Sequence, residues 1–162
     1  MTDELAIDAI TWEKLFQDYL DNFKYCCVPF EHLIEILNVL KECNITLGMI
    51  TNGYGQFQMA NIKALDIEKY FDTILISEWE GIKKPNPLIF KRATERLGVK
   101  PNQCLFVGDH PANDVRAAKE LGMKSIWKRD PQWSQVEADF IIKDLSEIPF
   151  IIDQLNKTLT QK

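Results

Sequence analysis

The sequence has little histidine, only His32 and His110, which are too far apart in the chain to argue for a metal cage. Its four cysteines, Cys26, Cys27, Cys43 and Cys104, show neither zinc-type paired spacing nor a dense disulfide framework. Reduced thiols are expected, with Cys104 a small core residue. Positive charge is not in excess: 19 Lys and Arg stand against 24 Asp and Glu, a net charge of −5. That balance provides no general field for nucleic acid or an anionic membrane. No apolar run approaches the length of a membrane span, and the acidic, polar start does not read as a signal peptide. Internal repeats, low-complexity segments and long linkers are also absent. The expectation is a cytoplasmic protein with no nucleic-acid or membrane partner.

What is present suits an ordinary globular chain. Hydrophobic residues make up 46% and charged residues 27% of 162 residues, enough for one core, alone or with a small appendage. Leu5, Trp12, Leu15, Phe16, Tyr19, Leu20 and Phe23 fall at helical spacing, and the stripe reads as packing. Phe30 to Cys43 predicts a second helix, and Ile45 to Ile50 a strand ending in Thr51-Asn52-Gly53. A helix over Gln56 to Leu65 and a strand over Thr73 to Ile76 follow, then a polar loop from Glu78 to Lys83. Asn86 as N-cap and Pro87 at the first helical position start a helix that Gly98 should stop. Strands at Cys104 to Val107, Ser125 to Trp127 and Phe140 to Ile142 complete the pattern, with a helix ending at Leu121-Gly122 and a closing helix from Leu145 to Leu155. Strands alternating with helices predict an α/β fold, a Rossmann-like parallel sheet with crossover helices.

The stretch Leu105-Phe106-Val107-Gly108-Asp109-His110-Pro111-Ala112-Asn113-Asp114-Val115 carries the chemistry. A buried strand stops at Gly108, Asp109 sits at its carboxyl end, and Asp114 follows as a helix begins. Ligands of open α/β sheets bind at that edge, and two carboxylates there suit a hard cation such as Mg²⁺. The same residues also suit a turn cap and a helix N-terminus. His110 fits a site mouth or a turn equally well. Thr51 and Lys84 fall at other strand ends or the loops beyond, so a parallel sheet can gather them with Asp109 and Asp114. A hydroxyl, backbone amides, an ammonium and carboxylates are the parts that phosphoryl transfer needs. Either Lys83 or Lys84 can be the inward lysine on this spacing.

These segments resemble the haloacid dehalogenase-like hydrolase superfamily, near its phosphoglycolate-phosphatase-like and nucleotidase-like members. Thr51-Asn52-Gly53 is similar to the second family motif. Gly81-Ile82-Lys83-Lys84-Pro85-Asn86-Pro87-Leu88-Ile89-Phe90 is similar to the third, and Gly108 to Val115 to the fourth. The likeness covers about residues 30 to 150. It implies that Thr51, Asn52 and Gly53 bind the phosphoryl group, with the Asn52 backbone or side chain assisting. Lys84 then stabilises the nucleophile and transferring group, and Asp109 and Asp114 hold Mg²⁺. The family reaction hydrolyses a small phosphate monoester through an aspartyl-phosphate. A response-regulator receiver has similar parts, but its acid pair precedes the hydroxyl and lysine; here the order is reversed.

The first family motif, an apolar strand ending in Asp-x-Asp, has no counterpart before Thr51. Asp8, in Leu5-Ala6-Ile7-Asp8-Ala9-Ile10-Thr11, imitates it without the second acid. The resemblance thus implies an N-terminally truncated chain: residues 1–25 a remnant of the helical cap, and residues 26–162 a core lacking its central first strand. Missing that strand would expose two inner sheet edges and favour self-association. The expected function is an N-terminally truncated Mg²⁺-dependent phosphatase lineage, with the activity of this chain alone left open because the nucleophile Asp is absent. The alternative is a non-catalytic phosphate- or Mg²⁺-binding or interaction protein on the same fold.

Overall fold

A computed structural model of the chain describes residues 9–160. Five short parallel strands are arranged in two sheets. The first sheet pairs β1 (Gly48–Thr51) with β2 (Thr73–Ile76), aligning Gly48 with Thr73 and Thr51 with Ile76. The second has β4 (Lys124–Lys128) between β3 (Leu105–Gly108) and β5 (Phe140–Ile142). The α/β architecture is the one expected, but the sheet is divided. β1 and β3 each have one strand neighbour and one open edge. All pairs are parallel, as right-handed crossovers require.

Helices span the division. α5 (Pro87–Leu97) packs on β1 and β2, and its fully buried Phe90 lies 5.1 Å from Phe106 of β3, ring to ring. Leu75, Ile89, Ala93, Ala118 and Met123 complete that core. A second core joins α2 (Leu33–Glu42) and α7 (Ile148–Thr160) to β4 and β5 through Ile36, Leu40, Ile126, Ile142 and Ile151. A third sets Leu37 of α2 against Ile62 of α3 (Gly55–Ala64) and Tyr70. Each cluster removes several aliphatic side chains from water, worth about 1.5–3 kcal/mol apiece.

Local chemistry places most boundaries. Asn86 accepts a 3.0 Å hydrogen bond from Leu88 N and opens α5, while Gly98 closes it with φ of 67°. The segment from Ser77 to Glu80 is a helical turn, α4, where a polar loop was predicted. Gly81, with φ of 67°, terminates that turn and is the local cause. The closing segment starts as a 3₁₀ turn, Leu145–Glu147, capped by Asp144, before α7 begins. α1 (Ala9–Asn22) falls within the first helix expected over residues 5–23, whose Leu5 lies outside the described residues, but its aromatic stripe is not enclosed. Tyr19 and Phe23 contact Phe57 at 5.5 and 5.3 Å, while Trp12 remains 56% exposed. Spacing reveals an apolar face but not what covers it. Cys104 is half-buried, and Cys26 and Cys43 are exposed. Among the described residues no helix is long and apolar enough to cross a membrane.

Glu80 anchors α4 to α5, receiving Arg96 at 2.7 Å and Arg92 at 3.2 Å. Burial pushes its carboxyl up, but hydrogen bonds and charge from Arg96 and Arg92 outweigh that, leaving it below its ordinary value of 4.5. Folding then favours the ionised form. The resulting stability is complete above the ordinary value and disappears as pH falls through the lowered folded value. The melting temperature should fall below pH 4.5 with a component that Glu80→Gln removes, as thermal denaturation followed by circular dichroism checks.

Candidate active site

Three chain segments meet at the carboxyl edge of the strands. β1 ends at Thr51, whose hydroxyl lies 3.3 Å from Gln58 Oε1. Gly53 N donates to Ser77 Oγ at 2.9 Å, and Gly55 N donates to Glu78 Oε2 at 2.7 Å. The loop is therefore tied to the start of α4. A Cβ on Gly55 would lie 1.8 Å from Trp79 Nε1, so a side chain there would have to displace the half-exposed indole.

Asn52 connects this loop to the lysine segment. Its Nδ2 donates to Lys84 O at 2.9 Å, and its Oδ1 accepts from Lys84 N at 2.9 Å. The side-chain amide thus pairs with both backbone groups of one residue, as a neighbouring strand would. With one bond at each end, Asn52 fixes Lys84, and its backbone amide and second Nδ2 hydrogen remain for a ligand. Lys83 is exposed, whereas the Lys84 ammonium turns inward to Asp114 Oδ1 at 2.6 Å. Lys84 is thereby the inward lysine of the pair. Its ammonium also lies 5.7 Å from the Phe106 ring, a cation–π contact.

The acidic segment explains why Asp114 is buried, with only 3% exposure. After β3 the chain forms a π-helical turn, Pro111–Arg116, leading into α6 (Ala117–Glu120). His110 Nδ1 accepts from Ala112 N and Asn113 N, both at 3.1 Å, while Asp114 Oδ2 accepts from His110 N at 3.1 Å. Those two accepted bonds assign the imidazole a neutral Nε2–H tautomer. His110 is therefore a helix cap, the turn role weighed for it in the sequence. The π turn moves Asp114 back over β3, and a Cβ at Gly108 would lie 2.4 Å from Asp114 Cβ. Glycine is required there by close approach, a signal present in the sequence but open to several readings.

Asp109 stands exposed at the strand end, its backbone oxygen held by Trp127 Nε1 at 2.8 Å. Asp114 Oδ1 is buried without a well-aligned hydrogen bond among the described residues, although the Lys84 ammonium is 2.6 Å away. Charge rather than hydrogen-bond geometry holds that contact. A buried carboxylate oxygen short of hydrogen-bond donors at the carboxyl edge of the strands is a donor that suits a hard divalent cation. Asp8 lies outside the described residues.

Removing one partner of a buried ion pair strands the other charge and costs about 3–5 kcal/mol. Asp114→Leu should cost that much in urea denaturation, and adding Lys84→Met should recover most of it. Simple additivity of the two losses would show that the pair is not coupled. Gly108→Ala, which overpacks against Asp114, should destabilise by about 1–3 kcal/mol.

The chain matches the family model of the haloacid dehalogenase-like hydrolases over residues 2–128. It is 33% identical over 127 residues to glyceraldehyde 3-phosphate phosphatase of Pyrococcus furiosus, covering 75% of this chain and 52% of that protein. It is 38% identical over 97 residues to phosphoglycolate phosphatase of Escherichia coli, covering 60% of this chain and 38% of the relative. Among solved structures it is similar to a HAD phosphatase from Thermococcus onnurineus, with a TM-score of 0.75 and 28% identity over 93% of this chain and 68% of that one. The chain thus spans about half the length of the Pyrococcus relative. On the family match and the fold together, the chain belongs to the haloacid dehalogenase-like hydrolase family.

Proposed function

We propose that this chain carries the phosphate-binding and metal-binding half of a Mg²⁺-dependent phosphatase acting on a small phosphate monoester. The observation that carries the reading is the continuous linkage from Thr51-Asn52-Gly53 through Lys84 to Asp114. Thr51 and the Asn52 amide receive the phosphoryl oxygens at the turn that Gly53 makes, and Lys84 offsets their charge. Asp109 and Asp114 would hold Mg²⁺, which supplies further charge neutralisation at the transferring group. In this arrangement Asn52 and His110 keep Lys84 and Asp114 aimed at one point. The phosphatase names of the Pyrococcus and Escherichia relatives support the substrate class.

The reaction through an aspartyl-phosphate needs an attacking carboxylate between Thr51 and Asp109. The unpaired edges of β1 and β3 support a reading in which a strand carrying it lies between them. On this reading residues 1–25 are the remnant of a helical cap, and residues 26–162 form a core that another strand completes. A free parallel edge also invites pairing with a second copy.

The test compares the purified chain with a version extended at its N-terminus by an apolar strand ending in Asp-x-Asp. Only the extended protein should hydrolyse an aryl phosphate, only with Mg²⁺, and Asp109→Asn should abolish turnover. Hydrolysis that persists in excess chelator overturns the mechanism. Sedimentation should show the unextended chain associating with rising concentration, whereas a monomer throughout removes the edge argument. The non-catalytic reading is favoured if the extended protein binds phosphate and Mg²⁺ without turnover.

A further inference from the structure

β4 and β5 end side by side, held in register where Arg129 N donates to Ile142 O at 2.8 Å. Arg129 and Lys143, the residues just beyond each strand, therefore emerge next to one another. They line an open cleft of about 510 Å³ together with Pro131, Trp133 and Ser134. Neither cationic side chain forms an ion pair or hydrogen bond among the described residues. The nearby acids are already engaged. Asp130 accepts from Gln132 N, Asp144 from His32 and Ser146 N, and Glu147 from the amides of Lys143 and Asp144. Those acids keep their charges, but their oxygens are taken up by these donors, so among the described residues the two cationic side chains share one cleft with no direct partner.

The cleft adjoins the candidate active site through its own wall. The Trp133 ring is 5.2 Å from the His110 imidazole, the residue after Asp109. The position is again the carboxyl edge of the strands, where ligands of such sheets bind.

From this arrangement we infer an oxyanion subsite: Arg129, Lys143 and Ser134 receive a carboxylate or phosphate group beside Trp133. The guanidinium provides a planar fork that matches either group, the ammonium adds a point charge, and the hydroxyl adds a neutral donor. The indole forms one wall of the cleft beside them. Resting on the proposed phosphatase reading, the subsite takes the distal anionic end of a two-headed substrate whose phosphoryl group lies at Thr51 and Lys84.

The experiment follows the Trp133 indole N–H by NMR in the full chain, with Trp133→Phe identifying the signal. Inorganic phosphate is titrated at constant ionic strength maintained with chloride. The signal should move saturably with a millimolar midpoint, and Arg129→Gln/Lys143→Gln should weaken that midpoint by about tenfold or more. The charge-preserving Arg129→Lys should give an intermediate loss, and circular dichroism verifies each fold. No saturable movement, or movement unaffected by the double substitution, overturns the subsite. So does phosphate that perturbs only the Thr51 to Gly53 amides. A second arm compares 3-carboxypropyl phosphate with propyl phosphate. If the carboxylate ester moves the indole and the Thr51 amide with one shared midpoint, the anion is the substrate's distal end. Two separate midpoints assign the subsite to an independent anion. These readings require no turnover, so failure of the phosphatase assignment leaves them interpretable.

Discussion

The pairing of Lys84 with Asp114 is the constraint on which the site depends. The lysine follows the first sheet and the aspartate follows the second, so their contact ties together two sheets that share no strand. Burying both charges has a desolvation cost that attraction alone recovers only when the geometry is held from outside. Asn52 holds Lys84 through two backbone hydrogen bonds, and the His110 cap with the π turn holds Asp114. Gly108 leaves the space that Asp114 fills. Each surrounding feature serves to keep one ammonium and one carboxylate in place.

The divided sheet follows from the same arrangement. Helices cross the division where strands do not: Phe90 on α5 reaches Phe106, and α2 packs with α7 over the other sheet. Side-chain burial on helices bridges separate sheets more readily than a backbone ladder does, because apolar contact is non-directional and hydrogen bonding is not. The layer therefore keeps its parallel order while β1 and β3 retain open edges.

Much was legible because it depends on local chemistry. Asn86, Pro87 and Gly98 bounded α5 by capping rules, and the strand at Leu105 to Gly108 followed from its apolar run and glycine stop. Other features needed distant partners. The π turn at Pro111–Arg116 exists because His110 and Asp114 cap one another, which spacing alone reads as ordinary helix. The bonds from the Asn52 side chain to Lys84, 32 positions away, lie outside any local pattern. The exposed aromatics of α1 show the same limit: periodicity marks an apolar face and is silent on its cover.

The sequence by itself determined the class of fold, the order of Thr51, Lys84, Asp109 and Asp114, and the chemistry those residue types can support. These are properties of local propensity and of what each side chain can donate, accept or neutralise. Only the tertiary structure decided which lysine faces inward, which acid is buried, and that Arg129 and Lys143 meet at Trp133. Those outcomes depend on crossover geometry and through-space pairing between residues far apart in the chain, which no local pattern encodes.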